Sequence, residues 1–423
     1  MNSPSLSNRK FAREGRSRVE LREEMNRLRA DDLSWKDPKN LKASYDAGDD
    51  VAEVAWEAYT QFRGDNLLYG NVLYPSLPKM AGEVVDKALE LLNAPSGASG
   101  SITTGGTESI ILAVKCARER ARELAPTSGV PEIVVAQTCH AAFNKAADML
   151  GLRIIRVATG VDYLADVEAM AGAVTDNTIM IVGSATSYPM GCLDPIERLA
   201  GLAREHGLWL HVDACLGGFF LPFARDLGEP VPAFDFSLDE VMSISVDLHK
   251  YGYTSRGASL LLLRDGDLSR FQEFEFSDWP TGRFTTLTIA GSRPGGAVAS
   301  AWAVMNYLGY DGYLERVVGI LEVKRRLLAE VERIDGVRVL GRPLGGIVGI
   351  GGAGDLDMAA VRDGMAGRGW QFGPLFDPAG MNLLLNFRHG SIVDRFAGDL
   401  EDMVEQARAG KLTPADERAG YGN

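Results

Sequence analysis

The sequence has little of what defines several large classes of protein. Only four of its 423 residues are cysteine, and no two of them form a CxxC pair, so neither a disulfide framework nor a zinc site is indicated. No run approaches the roughly 18 consecutive apolar residues that a membrane-spanning helix needs. The basic residues near the N-terminus precede no apolar stretch. We therefore expect a cytoplasmic protein with reduced, mostly buried thiols and no integral membrane segment.

Positive charge is also scarce. The chain has 44 lysines and arginines against 57 aspartates and glutamates, which gives a net charge of -13. Nucleic acid and anionic lipid surfaces repel such a chain, so a small molecule is the expected partner. The composition, with 46% hydrophobic and 24% charged residues, is typical of an ordered globular protein. Because one small core cannot take up a chain of this length, we expect two unequal domains.

The order of patterns along the chain predicts three regions. Residues 1–75 combine helical segments with most of a loop, GDNLLYGNVLYPSLPKM at 64–80, whose turn residues and aromatics are typical of a binding site. Residues 76–300 alternate helices with six apolar runs, which predicts a mostly parallel sheet covered on both faces. Residues 301–423 predict a smaller α+β domain with a mostly antiparallel sheet after a long helical segment. The six runs are EIVVAQ, RIIRVAT, TIMIVGSA, LWLHVDA, EVMSISVD and ASLLLLR.

A Gly-rich cluster, SITTGGTES at 101–109, runs directly into a helical segment. Glycines let the backbone approach an anion, hydroxyls donate to it, and a helix N-terminus adds unpaired N–H groups and a favourable dipole. A phosphate would fit here. The alternative is an ordinary turn in which Thr107 or Ser109 caps the helix.

An aspartate, Asp213, ends the apolar run LWLHVDA and is followed by CLGG. The carboxyl end of a parallel strand lies at the edge where open α/β sheets bind ligands. A carboxylate there can pair with a protonated ring nitrogen. The alternative is a structural aspartate that caps the next segment.

A lysine, Lys250, follows the run EVMSISVD within the sequence DLHKYGY. A histidine before it and aromatics after it can lower the pKa of its ammonium group and expose a nucleophilic amine, although many lysines are only solvated surface residues. The phosphate cradle, His140, Asp213 and Lys250 occur in the order needed to grip a phosphate, stack on a ring, pair its nitrogen and bond its aldehyde.

These motifs resemble the fold-type I pyridoxal-phosphate enzymes of the group II decarboxylase superfamily, which carry HVDA and HK signatures. Within it the sequence is most similar to the sphingosine-1-phosphate lyases, through TGGTES, HVDACLGGF, HKYGY and the SRPGG run at 292–296 after an Asp-Trp pair. The resemblance extends from about residue 35 to about residue 407. It implies a large domain with a mostly parallel seven-stranded sheet, a smaller C-terminal α+β domain, pyridoxal 5'-phosphate as cofactor, and a homodimer with shared active sites.

The resemblance also implies roles for individual residues. Gly106 and Thr107 would hold the cofactor phosphate with support from His249, and His140 would stack on the ring. Asp213 would keep the ring nitrogen protonated, and Lys250 would bond the aldehyde. Residues of the SRPGG run would reach the phosphate of the neighbouring subunit. The implied cofactor-binding set is Gly106, Thr107, His140, Asp213, His249, Lys250, Ser292 and Gly295.

Three positions depart from the family pattern on the substrate side. Arg256 replaces a lysine that helps to hold a substrate phosphate, and it keeps the charge with a planar donor fork. Tyr69 and Met190 each stand where the family has a histidine. The substrate or the chemistry is therefore altered, or these two positions lie just outside the pocket. Arg256, Tyr69 and Tyr74 are the implied substrate-binding residues, for an anionic substrate.

The resemblance implies a lyase that cleaves a phosphorylated 3-hydroxy amine in retro-aldol fashion to an aldehyde and an amino phosphate. Lys250, Tyr188 and Tyr253 are the candidate acids and bases. An amino-acid decarboxylase is the alternative, because the same scaffold releases carbon dioxide when a carboxylate is held perpendicular to the ring. A transaminase has no separate support, and a catalytically silent relative would lack the lysine or the aspartate.

Overall fold

The computed structural model describes residues 14–42 and 44–412, and the chain divides into two compact units at residue 37. In the first unit, helix α1 (Arg18–Leu28) begins with a capping box, in which Ser17 and Glu20 each bond to the other's backbone N–H group. None of its residues is buried. All other elements lie in the second unit.

A seven-stranded sheet forms the centre of the second unit, in the order β1-β7-β6-β5-β4-β2-β3. Strand β7 is antiparallel to both of its neighbours, and the remaining pairs are parallel. The prediction of a mostly parallel seven-stranded sheet is therefore confirmed, and the six apolar runs are strands β2 to β7. The strands are β1 (Ser99–Thr103), β2 (Glu132–Ala136), β3 (Arg153–Val157), β4 (Thr178–Ser184), β5 (Trp209–Asp213), β6 (Val241–Asp247) and β7 (Ser259–Leu263).

The remaining strand, β1, is the one that the apolar runs did not indicate. Its sequence, SGSIT, is short and mostly small, and only Ile102 and Thr103 are buried. It pairs with β7, where Ile102 lies opposite Leu260. This pairing places the end of β1 and the glycines after it beside the ends of the parallel strands.

The sheet is covered on both faces, which explains its continuous apolar runs. Alternate residues of one strand belong to different apolar clusters: Val134 packs on one face of the sheet, and Ile133 and Val135 pack on the other. The helices of this region are α2 (Asp49–Gln61), α3 (Ser76–Leu91), α4 (Gly106–Leu124), α5 (Ala142–Leu150), α6 (Val167–Gly172), α7 (Ile196–His206), α8 (Leu221–Asp226) and α9 (Ser269–Gln272).

A second, four-stranded antiparallel sheet follows, in the order β10-β11-β13-β12, as the sequence predicted. The long helical segment before it is interrupted at Gly309, whose φ of 57° and ψ of -171° are not helical. The elements are the hairpin β8 (Phe274–Phe276) and β9 (Phe284–Thr286), then α10 (Gly295–Arg333), β10 (Val337–Leu340), β11 (Ile347–Gly352), α11 (Met358–Gly367), β12 (Gly373–Phe376), β13 (Ala379–Leu384) and α12 (Val393–Arg408).

The domain boundaries after residues 75 and 300 stay a prediction.

The four cysteines are buried and form no disulfide with one another: Cys116, Cys139, Cys192 and Cys215. Among the described residues, no helix combines the length and the apolar character that crossing a bilayer demands.

Two buried histidines predict a loss of stability in acid. Burial lowers the pKa of His211, which lies in β5, and that of His389 to about 4, from an ordinary value of 6.5. Because the folded-state pKa is depressed, the stabilisation is complete above pH 6.5 and is lost as the pH falls toward about 4. Replacing His211 by Gln should reduce the difference in free energy of unfolding between about pH 7 and pH 5 by about 2 kcal/mol, measured by urea denaturation.

The exposed His206 provides the matched control, and His206→Gln should leave that difference unchanged. An identical pH dependence in wild type and both variants would contradict the assignment.

Candidate active site

A cavity of about 680 Å³ opens at the carboxyl edge of the large sheet. Its walls come from segments that follow β1, β2, β4, β5 and β6, which is where open α/β sheets place ligands. Of the residues predicted from the sequence, the structure brings seven to its walls: Gly106, Thr107, His140, Tyr188, Asp213, His249 and Lys250. Arg256 also lines the cavity, so eight predicted positions are together.

The start of α4 forms one end of the cavity. Gly105 is the N-cap residue, no side chain caps the helix, and Gly106 and Thr107 line the cavity at the favourable end of the helix dipole. The alternative of a capping Thr107 or Ser109 is therefore not found. A Cβ atom on Gly106 would lie 2.8 Å from both Asp247 Oδ1 and Cys215 Sγ, so any larger residue would have to displace one of these buried side chains.

The hydroxyls of this loop are used differently from the sequence prediction. Thr103 Oγ1 lies 2.7 Å from Ser109 Oγ, and Thr104 Oγ1 donates to Glu108 Oε2 at 2.6 Å. These hydroxyls hold the loop together and do not point to a ligand. Thr107, which is exposed on the cavity wall, is the threonine whose hydroxyl remains suited to an anion.

Asp213 is buried at the end of β5. Its Oδ1 atom accepts from the Cys215 N–H group at 3.1 Å and from Ser245 Oγ at 3.2 Å. Asp213 thus also has the structural role that was the alternative interpretation, since it caps the segment that follows β5. Both bonds end on the same oxygen, and the carboxylate also lines the cavity, so Oδ2 is suited to accept from a protonated ring nitrogen.

Two histidines of the cavity have fixed ring orientations. His140 Nδ1 accepts from the Ala142 N–H group at 3.1 Å, and His249 Nδ1 lies 2.9 Å from the Ala258 carbonyl oxygen. Burial lowers the pKa of both imidazoles below the usual range. His140 is therefore a neutral ring, which suits it to stacking on a flat ligand.

Lys250 lies beside a carboxylate that the sequence reasoning did not consider. Burial by itself lowers the pKa of the Lys250 ammonium, but Asp247 Oδ2 lies 2.9 Å from Nζ and the pKa is raised well above its usual value. The expected lowering is therefore wrong: burial is the largest single effect, but Asp247, Tyr45 and Cys215 together outweigh it. The signal was present in the sequence, since Asp247 precedes Lys250 by three residues.

The structure does not bring every predicted residue to the cavity of the single chain. Tyr253 is buried and stacks on Tyr313, with ring centroids 6.1 Å apart. Burial raises the pKa of its hydroxyl. Tyr69 is half-exposed in the loop before α3, and Tyr74 packs partly against the core.

The SRPGG segment lies next to that loop. Ser292 Oγ accepts from Asn66 Nδ2 at 3.0 Å, and the Gly295 N–H group donates to the Asp65 carbonyl at 2.8 Å. Neither Ser292 nor Gly295 lines the cavity formed by one chain.

The position of Met190 explains one departure from the family pattern. Its side chain is 2% exposed and packs with Cys192, Leu340 and Leu375, away from the cavity. The family histidine that Met190 replaces would therefore not be part of this cavity's lining. Tyr188, two residues earlier, does line the cavity.

Sequence reasoning missed three charged side chains of the cavity wall: Glu108, Lys145 and Asp247. Lys145 lies five residues after His140 on α5 and is exposed at the cavity wall. Its helix alone gave no sign that it faces a ligand.

Comparison with known proteins identifies the family. The pyridoxal-dependent decarboxylase conserved domain matches residues 4–340. The chain belongs to the pyridoxal-dependent decarboxylase family. A sphingosine-1-phosphate lyase of Oryza sativa subsp. japonica is 38% identical over 396 residues, which cover 91% of this chain and 72% of the relative. The solved sphingosine-1-phosphate lyase of Burkholderia pseudomallei matches with a TM-score of 0.90 and 35% identity, over 95% of this chain and 93% of that one.

Another member of the family has a different name. A probable L-aspartate decarboxylase of Pyrococcus furiosus is 33% identical over 361 residues, which cover 85% of this chain and 94% of the relative. The present chain is, as a member of this family, a pyridoxal-phosphate-dependent lyase. The cavity fits the cofactor, since the uncapped helix start at Gly106 suits its phosphate, the Asp213 carboxylate its ring nitrogen and Lys250 its aldehyde.

The contact made by Gly106 predicts an effect on cofactor affinity. Gly106→Ala should weaken binding of pyridoxal phosphate at least about tenfold, or about 1.4 kcal/mol, because the new methyl group displaces Asp247 or Cys215. Titration of the cofactor-stripped protein, followed by absorbance, measures this.

The neighbouring Gly105 is the matched control. Its φ of 168° is extended, and a Cβ atom there meets nothing within 4 Å, so Gly105→Ala should bind normally. Equal affinities of the two variants would contradict the steric argument.

Proposed function

We propose that this chain cleaves the carbon–carbon bond of a phosphorylated 3-hydroxy amine, giving an aldehyde and an amino phosphate. The observation that carries the proposal is that cationic Arg256 and Lys145 line the same cavity as Lys250 and Asp213. An anionic group of the substrate can thus be held in the same cavity as the cofactor-facing residues. The similarity to sphingosine-1-phosphate lyases along nearly the whole chain supports the same reaction.

The cofactor, when bound, withdraws electrons from the carbon that carries the substrate amine. Asp213 would hold the proton on the ring nitrogen, and His140 would hold the ring by stacking. A base takes the proton of the 3-hydroxyl group. The electrons of that O–H bond then form the aldehyde carbonyl, and those of the bond between carbons 2 and 3 pass to carbon 2, which afterwards takes up a proton.

Two residues are the favoured acids and bases. Lys250 would supply an amine to the reacting groups, and Tyr188 offers a phenol on the cavity wall. We favour Tyr188 over Tyr253, because burial raises the pKa of the Tyr253 hydroxyl and its ring stacks on Tyr313.

Arg256 is proposed to bind the substrate phosphate. Its planar guanidinium makes two parallel bonds to phosphate oxygens, and Lys145 adds a second positive charge on the cavity wall. Tyr69 and Tyr74 are proposed to line the far end of the substrate.

An amino-acid decarboxylase is the second candidate. The similarity to a probable L-aspartate decarboxylase favours it, and Arg256 could equally hold a side-chain carboxylate.

Product analysis distinguishes the two functions. Purified protein loaded with pyridoxal phosphate is incubated with phosphorylated 3-hydroxy amines and, separately, with a panel of amino acids. We expect an aldehyde and an amino phosphate from the first set, with no carbon dioxide from the second. Carbon dioxide together with an amine would establish the decarboxylase instead, and Lys250→Ala should abolish either reaction.

Matched variants of Arg256 test the role of the charge. Arg256→Gln should raise KM for the phosphorylated substrate at least about tenfold, since a charged hydrogen bond is lost. Arg256→Lys keeps the charge and should remain close to wild type. An unchanged KM in the Gln variant would show that Arg256 does not bind the substrate phosphate.

We propose a cytoplasmic homodimer with shared active sites. Apolar side chains around the loop before α3 support it, because Tyr69, Val72, Leu73 and Ile289 are 50%, 80%, 61% and 53% exposed in the single chain. A second chain that covers them would also bring its Tyr69 and Ser292 toward the cavity.

Mixing Lys250→Ala with Tyr69→Ala, each of which we expect to be inactive alone, tests the shared site. Dimers that combine Lys250→Ala with Tyr69→Ala contain one site with both residues intact. The mixture should recover about a quarter of wild-type activity, because about half of the dimers are hybrids. Analytical sedimentation measures whether the protein is a dimer. Cell fractionation measures whether it is cytoplasmic. A monomer, or a mixture that stays inactive, would refute the shared site.

A further inference from the structure

Glu108 occupies an unusual position between two walls of the cavity. It lies in the first turn of α4, is 7% exposed, and has two carboxylate oxygens that accept from different segments. Oε2 accepts from the N–H group and the hydroxyl of Thr104, at 2.7 and 2.6 Å. Oε1 accepts from the N–H groups of Ile289 and Ala290, at 2.8 and 3.1 Å.

The two segments are distant in the sequence and both line the cavity. Thr104 belongs to the loop that leads to Gly106, whereas Ile289 and Ala290 precede the SRPGG segment. A carboxylate with all four of these bonds holds the loop and the segment at a fixed separation. Its place in the first helical turn also stabilises the negative charge.

Other side chains secure the same segment, but at different points. Gln272 Nε2 donates to Ser101 Oγ and to the Leu287 carbonyl, both at 2.7 Å. Arg293 Nη1 donates to the Ile102 carbonyl at 2.9 Å. These bonds reach strand β1, whereas the Glu108 bonds reach the loop on the cavity wall.

We propose that Glu108 is a positioning residue that couples the cofactor-phosphate loop to segment 289–290. Thr104 N–H and hydroxyl are held away from the ligand, so the N–H groups at Gly106 and Thr107 are left to face the phosphate. Binding at the loop then tightens segment 289–290 through the shared carboxylate. By reciprocity, a loosened segment weakens cofactor binding.

The isosteric substitution Glu108→Gln tests the need for two acceptor oxygens. A carboxamide has one acceptor oxygen and an NH₂ group. Either the Thr104 donors or the N–H groups of Ile289 and Ala290 therefore lose their acceptor. The side chain keeps its size, and the helix keeps its length. The charge-matched control is Glu123→Gln on the same helix, where the exposed Glu123 pairs with Arg270 at 2.8 Å.

The experiment measures amide hydrogen exchange and cofactor affinity in the full chain, with and without pyridoxal phosphate. In wild type and in Glu123→Gln, the cofactor should slow exchange in both the 99–110 and the 284–295 regions. In Glu108→Gln, exchange at 284–295 should be faster and should no longer respond to the cofactor. The dissociation constant should rise about tenfold.

A purely structural role would lower the melting temperature without breaking the link between the two regions. If Glu108→Gln retains wild-type affinity and the response of residues 284–295, the proposal is overturned. If that variant does not fold, Glu108→Asp replaces it: the shorter carboxylate should weaken the response, and an undiminished response overturns the proposal. The readouts involve no substrate, so failure of the proposed lyase reaction leaves them interpretable.

Discussion

The buried carboxylate of Asp247 is the interaction on which the geometry of the cavity depends. It ends β6, lies 2.9 Å from Lys250 Nζ, accepts from Ser259 Oγ and approaches the position of Gly106. A charge removed from water in this way requires partners, and these partners are the amine and the hydroxyl. One side chain therefore holds the lysine in place and, together with Cys215, leaves little room for a side chain at Gly106.

The second constraint is the direction of the strands. Parallel strands end at the same edge, so His140, Asp213 and Lys250 meet although they are far apart in the sequence. Strand β1 reaches the same edge by pairing with the antiparallel β7. Glu108 then joins the loop after β1 to the segment before α10, which closes the wall of the cavity.

Within a family whose members share a cofactor but are named for different reactions, the choice of reaction depends on what surrounds the shared residues. The structure gives different surroundings to Met190 and Tyr69, the two residues that replace family histidines. Met190 lies in an apolar cluster and does not line the cavity. Tyr69 is half-exposed beside the segments that we propose to meet a second chain. Arg256 and Lys145 retain positive charge where an anionic substrate group would be held.

The sequence by itself determined six of the seven strands, the cofactor and the family, because apolar runs, a Gly-rich turn and the HVDA and HK motifs are local patterns. It could not reveal β1, whose small residues form a strand only by pairing with β7. Nor could it give the direction of the Lys250 pKa shift, since burial and a neighbouring carboxylate act oppositely and only their distances decide. The tertiary structure also decided which threonines face the ligand, because Glu108 and Ser109 already bind the hydroxyls of Thr104 and Thr103.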